Sequence, residues 1–238
     1  MSIACPSFIA GINPGLCRPI DHYCERLSPS WDAEPVNTLT NLAFVLAGYL
    51  AWRFYSRRHN GAPDRLIVAL IVTTPIVGIG SMFFHAFATR WLEWGDVFPI
   101  LIFMLLYLWF VLRRFLAWRR LPSAVTVFAF VGVTYSLEAR VPGDVLWGGA
   151  MYVPTMVAFL VFGLAILRSD PVAGRGFLIA AAMFLVSFAA RTADEPLCPT
   201  VVLGTHFLWH LLNGLLLWLL ILTLIRHGRA PLRAPAPA

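Results

Sequence analysis

The chain has 238 residues, 59% of them hydrophobic and 13% charged, with a formal net charge of +6. A soluble domain of this length carries about twice that charged fraction. Stretches approaching the ~20 apolar residues that cross a bilayer core account for the difference and exclude a soluble globular protein. Nor is the positive charge a nucleic-acid signature, because its arginines sort by side of the membrane, as set out below.

Residues 1–34 are polar, carry several prolines and hold three of the four cysteines, Cys5, Cys17 and Cys24. They read as an extracytoplasmic cap. Residues 1–19 lack a basic stretch followed by a long apolar core, so a cleavable signal peptide is not expected. Seven apolar runs follow, at about 35–55, 65–86, 93–113, 121–138, 146–167, 176–191 and 201–225. They predict an all-α integral membrane protein, a seven-transmembrane helix bundle over residues 35–225. The tail, 226–238, is rich in Arg, Pro and Ala and has the composition of a disordered segment.

Seven spans put the termini on opposite sides. Thirteen of the eighteen arginines, all but Arg18, Arg26, Arg90, Arg140 and Arg191, fall on one side. By the positive-inside rule this places the C-terminus in the cytoplasm and the N-terminus outside. Every basic residue is Arg and none is Lys, which points to a GC-rich, bacterial genome and so to an inner membrane with the periplasm outside. Ten of the twelve acids, all but Asp64 and Asp170, gather at the outer ends. All four cysteines share that oxidising side, where disulfides persist. Cys24 and Cys198 are the expected pair, tying the cap to the last outer loop, with free thiols as the alternative.

The first run opens Glu34-Pro35-Val36-Asn37-Thr38 and turns Glu34, Asn37 and Asn41 to one face. The second ends with Ser81 and His85, four residues apart and on one helical face. Asp96 opens the third at the same outer depth. The sixth closes with Arg191 and Asp194, read as a contact that staples the loop. Near the outer start of the seventh, His206 and His210 again stand four apart, and Asn213 extends their stripe. Singly, each histidine is better explained as a satisfied interior side chain. Three at one depth, with an intramembrane Asp and Ser, point to a metal. Three neutral imidazoles that leave a coordination position open are a catalytic type of zinc site, and Asp96 is within reach of an attacking water.

Ser81-x-x-x-His85, Asp96 and His206-x-x-x-His210, in that order, resemble the motif set of the alkaline ceramidase family. That family belongs to a wider group of seven-span zinc hydrolases that includes the adiponectin receptors. The resemblance runs from Asp21 to Leu220 and implies that His85, His206 and His210 ligate zinc, with Asp96 and Ser81 beside the attacking water. It implies a hydrolase acting on linear amides, which cleaves the N-acyl bond of a ceramide-like membrane lipid to a fatty acid and a sphingoid base. Asp96 would be the general base and acid, and Ser81 the oxyanion donor. Two other readings stay open: a zinc hydrolase of a different acyl lipid, and a non-catalytic lipid receptor with structural zinc.

Asp21-His22-Tyr23-Cys24-Glu25 and Glu34 resemble the same family's N-terminal calcium-binding segment. By that likeness Asp21, Glu25 and Glu34 would ligate calcium, which takes six to eight oxygens. The segment departs from the expected Asp-Trp-Cys-Glu by one extra residue, by Tyr in place of Trp, and by a shorter gap before Glu34. The alternative is that Glu34, with Pro35 at the first helical position, serves the N-terminus of the first helix.

Overall fold

The computed structural model describes residues 5–228. Among them 77% are helical and none lies in a strand. In the cap, α1 (Ser7–Ile12) is followed by a 3₁₀ turn at Pro14–Cys17. The bundle follows as α2 (Pro35–Thr40), α3 (Leu42–Arg58), α4 (Arg65–Phe87), α5 (Arg90–Phe110), α6 (Arg120–Arg140), α7 (Val153–Ile166), α8 (Pro171–Leu197) and α9 (His206–His227). A π-helical turn, Val111–Phe115, prolongs α5, and two 3₁₀ turns, Leu146–Gly148 and Ala150–Tyr152, lead into α7.

Five of these helices, α4, α5 with its π turn, α6, α8 and α9, are long and apolar enough to cross a membrane. Each of the seven expected runs is helical, but two depart from a single long rod. The fifth is a shorter apolar helix, Ala150–Ile166, begun by a 3₁₀ turn. The first divides at Asn41, and side chains do the dividing. Asn41 Nδ2 donates to Asn37 O at 2.9 Å, and Thr40 Oγ1 donates to Val36 O at 2.7 Å. Those are carbonyls of the turn below, and polar side chains that take them compete with the helical ladder.

One core runs through α3, α4, α5, α7, α8 and α9, with Leu70, Phe110, Phe177 and Ile221 fully buried. Its opposite faces expose Leu46, Val72, Phe128, Leu164 and Val186, the pattern of helices solvated by lipid rather than water. At the arginine-rich end, Asp64 accepts from Leu66 N and Ile67 N to cap α4 and pairs with Arg114 at 2.8 Å. Asp170 caps α8 by accepting from Ala173 N at 3.0 Å and meets His227 at 3.0 Å. Arg226 and His227 form the last turn of α9, so that part of the expected tail is helix. The rest, from residue 229 on, lies outside the described residues.

At the other end the cap is fastened to the bundle. Ile20 N donates to Ala88 O at 2.7 Å and Arg90 N to Arg18 O at 3.1 Å, an isolated antiparallel bridge just past α4. Ile20 buries against Phe84 and Leu92. Cys24 and Cys198 form the expected disulfide. A second, Cys5–Cys17, lies within the cap and was not foreseen from the sequence. Gly204, at φ +66°, lets the loop before α9 fold against this disulfide, because a Cβ there would overlap Asp194 and lie 2.9 Å from Cys24 Cβ.

Candidate metal centre

His85, near the end of α4, comes together with His206 and His210, in the first turns of α9, although it lies more than a hundred residues before them. Their candidate ligand nitrogens all lie within 4.8 Å of one another, and all three side chains are buried. Among the described residues no fourth His, Cys, Asp or Glu joins the group.

The neighbours decide which nitrogen is free. His85 Nδ1 stands 2.6 Å from Glu34 Oε2, so a carboxylate takes the ring proton there and leaves the Nε2 lone pair to the cluster. His210 Nδ1 stands 2.9 Å from Thr40 Oγ1. That hydroxyl spends its one proton on Val36 O, so it accepts from the ring, and Nε2 again carries the lone pair. A carboxylate or hydroxyl on the far nitrogen is the usual support for a metal-ligating imidazole. His85 Nε2 and His206 Nδ1 are buried without a partner. Each such orphan costs about 1–3 kcal/mol, and two in one cluster fit a metal ion. The donor set, three neutral imidazoles with one position open, suits zinc.

Asp194 sets the start of α9. It accepts from Cys24 N at 3.0 Å, Thr205 N at 2.5 Å and His206 N at 2.8 Å. The expected staple to Arg191 is not made; Arg191 Nη1 donates instead to Trp147 O at 2.9 Å. Asn213 continues the stripe as expected and donates to Ser187 Oγ and Trp209 O, both at 2.8 Å, which ties α9 to α8.

Ser81 and Asp96 meet across α4 and α5, with the Ser81 hydroxyl and the His85 ring beside the Asp96 carboxyl. The neighbouring residues make this possible. Gly80 faces the Gly95 backbone so closely that a Cβ would overlap Gly95 O and stand 3.0 Å from its carbonyl carbon. Asp96 opens onto a cavity of about 590 Å³ that is also lined by Tyr23, Tyr152, Arg191, His206 and His210. Tyr23 stacks on the His206 ring with centroids 3.8 Å apart. Burial raises the Tyr23 pKa further above its ordinary range despite the opposing charge of Arg191, so its phenol keeps its proton. A smaller apolar cavity, lined by Phe44, Val77, Phe103, Phe159 and Leu216, adjoins it, and Tyr152 and Trp209 belong to both.

The cap carboxylates are differently employed from either reading of the sequence. Glu25 accepts from Val36 N at 2.7 Å and Asn37 N at 2.8 Å, so it, and not Glu34, caps α2. Glu34 lies at the helix start but makes no capping bond. It accepts from Arg26 Nε at 2.5 Å and Asn37 Nδ2 at 3.2 Å besides facing His85. Burial works to raise its pKa, but His85 and Arg26 prevail and hold it below the ordinary glutamate range. Asp21 is exposed. Among the described residues these three side chains do not form a group of candidate metal ligands.

Sequence reading missed Thr40, Arg26 and Tyr23 as parts of the site. Thr40 and Glu34 lie in the polar opening of an otherwise apolar run, which was a usable signal. Arg26 had none beyond being a basic residue on the acid-rich side.

A sequence model of the family described as Ceramidase matches residues 22–232 of the chain. No curated protein matches it.

Proposed function

The chain belongs to the ceramidase family, a family of amide-cleaving hydrolases, and on that premise we propose that it is a zinc-dependent intramembrane amidohydrolase of ceramide-like lipids. The observation that carries the reading is the convergence of His85, His206 and His210, with unpartnered nitrogens on His85 and His206, beside a cavity that Asp96 lines. Absence of a fourth ligand among the described residues favours this reading over a receptor with structural zinc. The chain is proposed to span the membrane seven times with its C-terminus in the cytoplasm. The disulfide-bonded cap at the site's end and the arginines at the other support a site facing the outer side, which in a bacterium is the periplasm.

A zinc ion held by the three imidazoles supplies Lewis acidity toward the amide carbonyl and the attacking water. Glu34 and Thr40 keep the proton on Nδ1 of His85 and His210, so that Nε2 of each is the donor. An Asp96 carboxylate oxygen takes a proton from the water as it adds to the carbonyl carbon, and delivers it to the amine nitrogen as the C–N bond breaks. The Ser81 hydroxyl, beside that carboxyl, donates to the developing oxyanion. The polar cavity and the apolar one adjoining it suit an amphiphile, with its amide at the histidines and its acyl chain toward Phe159 and Leu216.

The test is zinc per protein together with fatty-acid release from a short-chain ceramide. His210→Ala loses most of its zinc and all turnover. Asp96→Asn keeps the zinc, and hydrolysis falls about 10²- to 10⁴-fold. Ser81→Ala keeps the zinc and loses about 10²–10³ in rate. Full zinc in His210→Ala defeats the three-histidine site, and wild-type turnover in Asp96→Asn defeats the proton transfer.

A further inference from the structure

We propose that the Arg26 guanidinium fills the place in the cap that a calcium ion would take, and that it is the positioning group for His85. The second half rests on the zinc reading above; the first does not.

Arg26 is 8% exposed, rare burial for an arginine, and its fork faces oxygen throughout. Nε donates to Glu34 Oε1 at 2.5 Å, and Nη2 to His85 O at 2.6 Å. Nη1 reaches Ser30 O at 3.3 Å and Ser28 O at 3.5 Å. One carboxylate and several main-chain carbonyls around a single positive centre is the kind of shell a hard cation takes. Here the cation is covalently part of the chain. A divalent ion entering that shell would meet the guanidinium across the same Glu34 carboxylate. Glu25 is turned to α2, where each of its oxygens accepts an amide proton.

The geometry also grips one residue at both ends. Glu34 holds the His85 ring at Nδ1, while Arg26 holds the His85 main-chain carbonyl, and the two are bonded to each other. That carbonyl lies in the last turn of α4, where the helical ladder leaves carbonyls unpaired and a cation is favourable. Arg26 therefore fixes where α4 ends and which way the His85 ring turns, although it does not reach the reacting atoms.

The test uses the purified full chain in lipid nanodiscs. The melting temperature of wild type stays the same from a calcium-selective chelator to millimolar calcium; a rise with calcium, as ligand linkage demands of a bound ion, overturns the substitution. In Arg26→Ala, zinc affinity measured by chelator competition falls about 10- to 100-fold, the usual cost of losing support behind a metal ligand. Added guanidinium or calcium restores part of it, a response that a merely structural arginine would not give. Wild-type zinc affinity in Arg26→Ala, or a loss that neither cation repairs, overturns the positioning role. If Arg26→Ala does not fold, Arg26→Lys decides. It keeps the charge but cannot span Glu34 and His85 O together, so it binds zinc more weakly than wild type, and unaltered zinc affinity refutes the proposal. Failure of the zinc reading shows separately, as full zinc in His210→Ala.

Discussion

Gly80→Ala adds one carbon at the contact that sets Asp96 against Ser81. The new Cβ would overlap Gly95 O, stand 3.0 Å from Gly95 C and lie 3.6 Å from Asp96 N. Carbon atoms rest at about 3.5–4.0 Å, so α4 and α5 must part by roughly 0.5–1 Å at this level. Asp96 follows Gly95 directly and moves with it. The histidine cluster joins α4 to α9 and takes no histidine from α5, so it is kept when α5 takes up the displacement. A displacement of about 1 Å in a catalytic group costs on the order of 10²-fold in rate. Turnover of a short-chain ceramide therefore falls about 10²-fold while zinc per protein is unchanged. Gly95→Ala is the internal control, since a Cβ there meets nothing within 4 Å. It turns over normally and gains up to about 1 kcal/mol from helix propensity. Thermal unfolding of both variants separates a displaced Asp96 from a damaged fold. Wild-type turnover in a folded Gly80→Ala protein, or equal loss in Gly95→Ala, refutes the reasoning.

The disulfides are testable by mass mapping without reduction, which should recover Cys24 linked to Cys198 and Cys5 linked to Cys17; any other pairing contradicts the fold. Cys198→Ser removes the bond that spans 174 residues of chain and lowers stability by about 2–5 kcal/mol. At the opposite end, the Ala173 amide and His227 hold the Asp170 carboxyl below the ordinary aspartate range. A depressed carboxyl stabilises the fold above its unfolded pKa of about 3.9, and loses that contribution as pH falls through the still lower folded value. Asp170→Ala is accordingly less stable than wild type at neutral pH, by about 1 kcal/mol for the lost cap. The gap narrows in acid below about pH 4 as the wild-type carboxyl protonates. A gap that widens in acid would contradict this sign.

The fold class and family were legible because both rest on signals that survive without a partner. Apolar runs of membrane length announce helices, and His-x-x-x-His on one of them announces a shared face. Ser81, His85 and Asp96 were legible for the same reason, each being a polar group that lipid would not tolerate idle. The break at Asn41 was not, since it comes from two side chains taking carbonyls of the turn below, a competition that composition does not rank. The cap carboxylates left two readings open, calcium by resemblance and service to the first helix, and the structure turns Glu25 to amides of α2 and Glu34 to Arg26 and His85. An acid's partner is set by what folding brings to it, and Arg26 arrives from eight residues away in a segment without periodicity. The expected Arg191–Asp194 contact failed similarly. Thr205 and His206 present N–H groups at the start of α9, and a carboxylate prefers those fixed donors to an arginine that can reach a carbonyl elsewhere.

The cap bears on the site through several attachments at once. Cys24 is bonded to Cys198, Glu25 to the start of α2, Arg26 to the end of α4, and Tyr23 is stacked on His206. Four consecutive residues thus fasten four different parts of the bundle around the three histidines. Glu34 and Thr40 orient the rings of His85 and His210, and residues 23–26 add fastenings around them. The supports of a cluster that joins α4 to α9 thus lie partly in the segment whose sequence is least regular.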